Sequence, residues 1–377
     1  MCIRDRLIVG ALVPVLGLAL LGEGNVWDGL GRLVAEHPEK LNAIGGADSP
    51  IPFGTIFTGM IFANLFYWCA NQYVIQRTLA ARSLAEGQKG VLLSGFFKVL
   101  VPLLMMIPGV VAYHLYGPEL QSIDLAYPQL VRDVMPVYAT GFFLAVLLGA
   151  VLSSFNSLIN SASTLFCIDV YQPLVGRAVS DTEMVRVAKR VGLVMTGFSL
   201  LVAPLLQFAA EGLWQVIRIF TGFYNIPVIA IVVIGLFTRQ VPAVAAKVVI
   251  IFHIAAYGTF QFVLKDLVPV HFLHLYAILF VLEVAMMLAI GMRHPRQEEA
   301  TIRQTAEVDL TPWAYGQPCA LTLLSCVMAL YVVFSPVGLA GDGSNLFAPV
   351  LLGLLALNVL FWFGWRRRLA AGLGVRA

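Results

Sequence analysis

Charged residues are scarce in this chain. Only 12% of its 377 residues are Asp, Glu, Lys or Arg, whereas 59% are hydrophobic and the mean hydropathy is +0.86. Soluble domains carry roughly 25% charged residues. The composition therefore excludes an ordinary soluble domain and predicts an integral membrane protein.

Paired cysteines and the short motifs of soluble enzymes are also missing. The five cysteines form no CxxC pair, so neither a metal framework nor a disulfide scaffold is indicated. The sequence contains no P-loop, no HExxH and no GxSxG, and no pair of acids or nucleophile with a base converges in the apolar runs. We therefore expect neither an enzyme nor an ATP-driven pump, and no organic cofactor. The pI of about 8.6 reflects arginines in loops and requires no nucleic-acid partner.

Long apolar runs recur along the whole chain and predict helical spans, since a barrel would show short alternating strands instead. A helix needs about 20 apolar residues to cross the hydrocarbon core. The ten predicted spans are Leu7–Gly22, Pro52–Tyr73, Val91–Tyr116, Pro136–Phe166, Val191–Ala209, Leu213–Phe237, Val241–Val263, Phe272–Met292, Cys319–Phe334 and Phe347–Trp365.

The basic residues predict the orientation of these spans. Of the 24 Lys and Arg residues, 18 fall on the side that holds both chain ends, four fall on the other side and two lie inside spans. Because cytoplasmic loops carry the excess of Lys and Arg, both ends are expected in the cytoplasm of a cell that holds the protein in its inner or plasma membrane.

Apart from Lys247, which is counted with the cytoplasmic loops, three charged residues lie inside predicted spans, namely Lys98, Arg218 and Glu283. Charges in the bilayer are rare and usually face a cavity or a partner. For Lys98 and Arg218 the residues alone leave a substrate-cavity role and a structural pairing equally open. Glu283 has no partner that the sequence identifies.

The stretch Gly149–Tyr171 is unusually rich in Ser, Asn and Thr for a span. At about 100° per residue, Ala150, Ser153, Ser154 and Ser157 share one helix face. Hydroxyls and a bared carbonyl are hard-oxygen ligands that suit a small cation. Close packing of small residues against a neighbouring helix is the alternative, and on composition alone it is favoured.

A second polar cluster lies in the span Pro52–Tyr73. It contains Asn64 and Tyr67 and is followed by Gln76-Arg77, while Gly54 and Gly59 could permit an unwound segment of the kind found in transporters.

Several motifs in register resemble the sodium/solute symporter family in its sodium/glucose branch. Asn64–Arg77 reads NLFYWCANQYVIQR, and GFFK at Gly95–Lys98 is followed by Pro102 and Pro108-Gly109. Ser153-Ser154 through Asn160-Ser-Ala-Ser, with Asp169-Val-Tyr171, completes the pattern, and the order holds from about Leu7 to Met292.

The resemblance implies an all-α, LeuT-like fold of two inverted five-helix repeats, with solute and sodium near the bilayer midplane. It implies Ala150, Ser153 and Ser154 as sodium ligands, with Na⁺ as the co-transported ion. For the stretch Gly149–Tyr171 it therefore favours an ion site over close packing of small residues. It also implies that Asn64 and Lys98 contact a sugar, that Tyr67 is an inner gate stacking on the sugar, and that Trp214 is an outer aromatic gate.

Two features depart from the sugar branch. Arg218 stands where that branch has a substrate-binding glutamine, so either a carboxylate-bearing solute or a structural ion pair with a protein acid is expected there. Only Leu7–Gly22 precedes the span that resembles the start of the second repeat. We therefore expect a chain truncated within its fifth core helix, with its first repeat largely missing, that does not transport alone.

The expected organisation follows from these assignments. In chain order it comprises a remnant of the fifth core helix (1–22), an external loop (23–51), the second repeat with the sodium and substrate positions (52–237), peripheral helices (238–292), a cytoplasmic linker (293–318) and two C-terminal helices with a basic tail (319–377).

The leading hypothesis is a multi-pass, sodium-coupled symporter that carries a sugar or polyol by alternating access in the lipid bilayer. A sodium symporter for another solute, such as an acidic sugar, a vitamin or an amino acid, is the nearest alternative. A non-transporting membrane fragment is the third.

Overall fold

The protein is all-helical. The computed structural model describes residues 3–120, 122–208, 213–265, 267–268, 270–296, 308–341 and 344–371. Within these ranges the chain forms fifteen α-helices and no strand, apart from one isolated bridge between Ser83 and Asp309. The helices are α1 (Ile3–Leu21), α2 (Val26–Glu36), α3 (Gly59–Leu65), α4 (Gln72–Leu79), α5 (Leu84–Val99), α6 (Val101–Tyr116), α7 (Ala126–Val134), α8 (Val137–Leu165), α9 (Gln172–Val175), α10 (Asp181–Val202), α11 (Leu213–Phe237), α12 (Ala243–Thr259), α13 (Phe272–Arg293), α14 (Gly316–Val333) and α15 (Phe347–Ala370).

Eight helical segments in the described part of the chain are long and apolar enough to cross a membrane. A ninth is possible if α1 and α2 form one span, which is bent by 75° at their junction. The prediction of an all-α membrane protein is therefore confirmed. The predicted span Pro52–Tyr73 is broken into short pieces, of which the longest apolar one covers Gly59–Ala70.

Parts of three predicted segments lie outside the described residues. They are the end of the fifth span at Ala209, residues 297–307 of the linker 293–318, and the basic tail beyond residue 371.

Two compact units contain the helices. The first comprises the described residues of Met1–Ile44, Ala81–Gly212 and Asp309–Ala377. Its largest core joins α1, α2, α6 and α7, where Val13, Leu33, Val111 and Leu130 are fully buried.

The second unit comprises the described residues of Gly45–Ala80 and Leu213–Val308. Here α3, α11, α12 and α13 pack around Ala63, Ile226, Tyr257 and Leu273. Gly59 begins α3 where a Cβ would collide with the carbonyl oxygen of Leu273, so only glycine permits this approach of α3 to α13. The repeat predicted at 52–237 was defined by the order of helices along the chain, whereas these two units are defined by which residues pack together. The boundaries of the repeat therefore stay a prediction.

Many large apolar side chains remain exposed on the longest helices. On α10, for example, Leu193, Val194, Leu200 and Leu201 are each more than 70% exposed. A helix surface of this kind is stable only in contact with lipid or another apolar surface, in agreement with the span assignment.

Candidate functional site

The helix that carries Asn64 and Tyr67 is interrupted on both sides. It begins after Thr58, whose backbone (φ −123°, ψ −110°) is not helical, and Asn64 lies exposed in its last turn. It then widens into a π-helical turn over Phe66–Ala70, closed by a 2.9 Å hydrogen bond from the Asn71 amide to the Phe66 carbonyl. Asn71 itself is extended (φ −75°, ψ 114°), and α4 begins at the next residue.

Tyr67 lies within the π turn, where its ring is half-buried and surrounded by aromatic groups. Tyr73 donates a hydrogen bond to its hydroxyl oxygen over 2.7 Å, and the two rings meet edge to face at 6.0 Å. Trp68 makes a second edge-to-face contact at 5.4 Å. π turns often occur at functional sites, because they break the regular backbone pairing locally.

Trp214 and Arg218 lie one turn apart near the start of α11. The Trp214 side chain is exposed, and the Arg218 guanidinium carbon lies 5.2 Å from the centre of its ring. This is a cation–π contact between residues i and i+4. Arg218 Nη2 also lies 3.0 Å from the sulfur of Met60 on α3, one turn before Asn64.

Arg218 forms no ion pair within the described residues. Its contacts are a sulfur atom and an indole ring, and its buried Nε has no hydrogen-bond partner there. A structural ion pair, one of the two predicted alternatives, is therefore not found in this part of the chain.

Glu283, for which the sequence identified no partner, pairs with His253 of α12. Both side chains are fully buried, and Oε1 of Glu283 lies 2.5 Å from Nδ1 of His253. His253 Nε2 lies 3.0 Å from the carbonyl oxygen of Gly222 on α11. Because a carbonyl only accepts, Nε2 carries a proton. The pair is then either an imidazolium with a carboxylate or a neutral imidazole with a carboxylic acid, and both forms have no net charge.

Two tyrosines hold the same face of α11. Tyr276 donates to the carbonyl of Arg218 over 2.7 Å, and Tyr257 donates to that of Ile219 over 3.1 Å. With His253, three side chains from α12 and α13 thus bind the α11 backbone beside Arg218. Sequence analysis missed these residues. Their one signal was polar character at Tyr257, Tyr276 and His253 inside otherwise apolar spans.

The predicted sodium ligands lie on α8. Ser154 donates its hydroxyl hydrogen to the carbonyl oxygen of Ala150 over 3.1 Å, while Ser153 is half-buried. This is the usual bond of a helical serine to the carbonyl four residues before it, as at Ser157 and Ser199, so the sodium assignment stays a prediction. To bind an ion, the Ser154 hydroxyl would have to turn its hydrogen away from Ala150. The three predicted ligands, Ala150, Ser153 and Ser154, offer neutral oxygens only.

The predicted substrate positions belong to different units. Asn64, Tyr67, Trp214 and Arg218 belong to the second unit, where α3 and the π turn pack on α11. Lys98 belongs to the first unit, with the sodium positions. Lys98 is exposed and lies in the last turn of α5, two residues before the joint at Leu100 that leads into α6.

Known proteins resemble this chain in the region that contains these residues. A profile of the sodium:solute symporter family matches residues 37–251, which include every predicted substrate and sodium position. The chain belongs to this family. The name of this family describes symporters of sodium and a solute.

Relatives within the family differ in the solute for which they are named. The chain is 39% identical to the uncharacterized symporter YidK of Escherichia coli (strain K12) over 363 residues, which cover 96% of the chain and 63% of YidK. It is 30% identical to a sodium/glucose cotransporter of Vibrio parahaemolyticus over 61% of the chain and 46% of that protein. It is 33% identical to sodium/myo-inositol cotransporter 2 of Sus scrofa over 60% of the chain and 35% of that protein. The chain thus spans less than two thirds of the length of these relatives.

Proposed function

We propose that this symporter couples the entry of sodium to that of a sugar or polyol by alternating access. The helix interruption at Asn71, four residues after Tyr67, carries the proposal, because family transporters bind solutes where helices are broken. The relatives named for glucose and myo-inositol support a polyhydroxylated solute.

In this proposal sodium binds at Ala150, Ser153 and Ser154 and favours the outward-open state, which raises the affinity for the solute. Tyr67 stacks on the solute ring, Asn64 and Lys98 bind its hydroxyls, and Trp214 closes the site from outside. The coupling is reciprocal, so the solute raises the affinity for sodium by the same factor.

Uptake into liposomes tests the proposal. The part of the Escherichia coli relative that precedes its region of similarity is joined to this chain, and labelled glucose and myo-inositol are offered with and without a sodium gradient. The 377-residue chain, reconstituted in the same way, is measured beside the chimera to test the alternative of a non-transporting fragment. Uptake that is independent of sodium would contradict the proposal.

A variant of Ser154 locates the ion. Ser154→Ala removes one oxygen ligand and should raise the sodium concentration for half-maximal uptake by about tenfold. Ser199→Ala is the matched control, because the Ser199 hydroxyl makes the same backbone bond to Met195 on α10. An equal response of the two variants would place the ion elsewhere.

An anionic solute is the second candidate. Arg218 carries a fixed positive charge and has no acid partner among the described residues, so a solute carboxylate could pair with it. Competition by hexoses, inositols and uronic or sialic acids is compared for the parent chimera and Arg218→Gln. A loss of preference for the acids in the glutamine variant would favour this candidate, and an unchanged order would assign Arg218 a structural role.

We also propose that the protein spans the cell membrane with both ends of this chain in the cytoplasm, as the distribution of Lys and Arg favours. Cysteine labelling from either side of sealed vesicles, at positions introduced next to Arg368 and Trp27, tests that orientation.

A further inference from the structure

A groove of about 590 Å³ runs between α14 and α15 in the first unit. Along α15 its wall is formed by Leu351, Leu355, Val359, Trp362 and Arg366. These residues recur every three or four positions and therefore form one stripe along the helix. The stripe covers fifteen residue steps, or about 22 Å at 1.5 Å per residue, and it ends at a charge. The hydrocarbon of one leaflet is about 15 Å deep, so the groove is long enough for a lipid chain.

Polar groups in the groove already donate their hydrogens within the protein. The Thr322 hydroxyl donates to the carbonyl of Pro318 over 2.9 Å and accepts from the indole of Trp362 over 2.9 Å. The Ser325 hydroxyl donates to the carbonyl of Leu321 over 3.0 Å. The Asn358 amide donates to the carbonyl of Leu354 over 3.3 Å, and its buried Oδ1 has no partner within the described residues. A solute would thus find one free acceptor but no free hydroxyl donor in a wall that is otherwise mostly apolar, which favours a mainly apolar occupant.

Arg366 lies at one end of this apolar stripe. Its side chain is exposed and forms no hydrogen bond, ion pair or ring contact within the described residues. Its neighbour Arg367, in contrast, stacks on the ring of Phe363 at 4.2 Å and lies outside the groove. The sequence of α15 contains no acid that could neutralise either residue. A guanidinium binds phosphate through two parallel hydrogen bonds.

We propose that this groove is a binding site for an anionic phospholipid, with one acyl chain between α14 and α15 and the phosphate on Arg366. Charge selects this occupant over an apolar helix, which would cover the guanidinium without supplying a counter-charge. Trp362 lies one turn from Arg366, and tryptophan prefers the boundary between head groups and hydrocarbon.

Lipid binding to the purified 377-residue chain in mild detergent tests the site. Native mass spectrometry and thermal unfolding are followed with dioleoyl phosphatidylglycerol and with dioleoyl phosphatidylcholine. We expect Arg366→Gln to weaken phosphatidylglycerol binding about fivefold and to leave phosphatidylcholine binding unchanged. Arg368→Gln is the matched control, because Arg368 is exposed on the same helix and is not among the residues that line the groove, whereas Arg367 packs on the lining residue Phe363. This control should retain phosphatidylglycerol binding.

The apolar wall is tested separately. Ala329 lines the groove, and Ala329→Phe fills it, so this variant should weaken the binding of both lipids. If both arginine variants weakened phosphatidylglycerol binding equally, the effect would come from the general surface charge, and the proposal would be overturned. It would be overturned as well if Ala329→Phe bound both lipids normally but changed the oligomeric mass, because a helix of a second copy would then occupy the groove.

Discussion

Tyr67 has a ring and a hydroxyl that lie in different surroundings. The hydroxyl is engaged by Tyr73, while the ring lies in the π turn. We predict that Tyr67→Ala weakens solute binding about tenfold and Tyr67→Phe less than about threefold, since the ring face makes the contact. Solute affinity in the chimera measures this. Tyr73→Phe is the control for the shared hydrogen bond, and equal losses for alanine and phenylalanine at position 67 would assign the role to the hydroxyl.

Glu283 and His253 form a buried pair whose partners depend on each other. We predict that Glu283→Ala lowers the free energy of unfolding by about 3–5 kcal/mol, because it leaves the Nδ1 atom of His253 without its partner in an apolar core. Glu283→Gln keeps the volume and should cost less. Thermal unfolding in detergent measures both variants.

The double variant completes this test. With Glu283→Ala and His253→Ala combined, the total loss should be smaller than the sum of the single losses by about 0.5–3 kcal/mol. Strictly additive losses would show that the two side chains do not stabilise each other.

At the scale of the element, α11 is held by contacts that require glycine at position 222. A Cβ there would lie 2.8 Å from the Tyr257 hydroxyl and closer still to that of Tyr276. We predict that Gly222→Ala destabilises the protein by about 1–3 kcal/mol, although alanine is the better helix former. Gly235→Ala on the same helix is the control, because a Cβ at Gly235 meets nothing within 4 Å. Stability that is equal in both variants would contradict the close packing described here.

The short helix α7 supplies a pH-dependent contact outside the spans. The hydroxyl of Tyr116 donates to Asp133 over 2.6 Å, and with the guanidinium of Arg132 this holds the pKa of Asp133 below its usual range. A carboxyl with a depressed pKa stabilises the fold above its unfolded pKa of about 3.9, and this contribution is lost as pH falls through the folded pKa.

The melting temperature of the parent should therefore fall more steeply between about pH 6 and about pH 3 than that of Asp133→Asn. Tyr116→Phe should reduce the same slope, whereas Tyr138→Phe, at an 89% exposed tyrosine, should not. Identical slopes in all four proteins would remove Asp133 from the acid response.

At the scale of the whole molecule, hydropathy predicted the helices well because it is a property of the chain itself. Leu213–Phe237 begins and ends as predicted. The three predicted spans from Val241 to Phe334 differ by at most three residues at their ends from the apolar helical segments Ala243–Leu264, Phe272–Arg293 and Gly316–Val333. Two starts were wrong: α10 begins at Asp181, ten residues before the predicted Val191, and α5 begins at Leu84, seven before the predicted Val91. The span Pro52–Tyr73 differs most, because it is broken into short pieces. Its apolar content predicts a membrane segment, but whether the backbone continues as a helix through Thr58 and Asn71 depends on what packs beside it.

The sequence by itself determined the membrane class and the grouping of Ala150 with Ser154 on one helix face, since these depend on composition and on the helical period. The family followed from motifs that resemble those of known members, such as Asn64–Arg77. Only the tertiary structure decided the partners of the buried charges. His253 and Glu283 are 30 residues apart, and Met60 and Arg218 are 158 apart. Which side chains meet across two helices depends on how those helices rotate and cross, and a linear pattern of polar and apolar residues does not specify either.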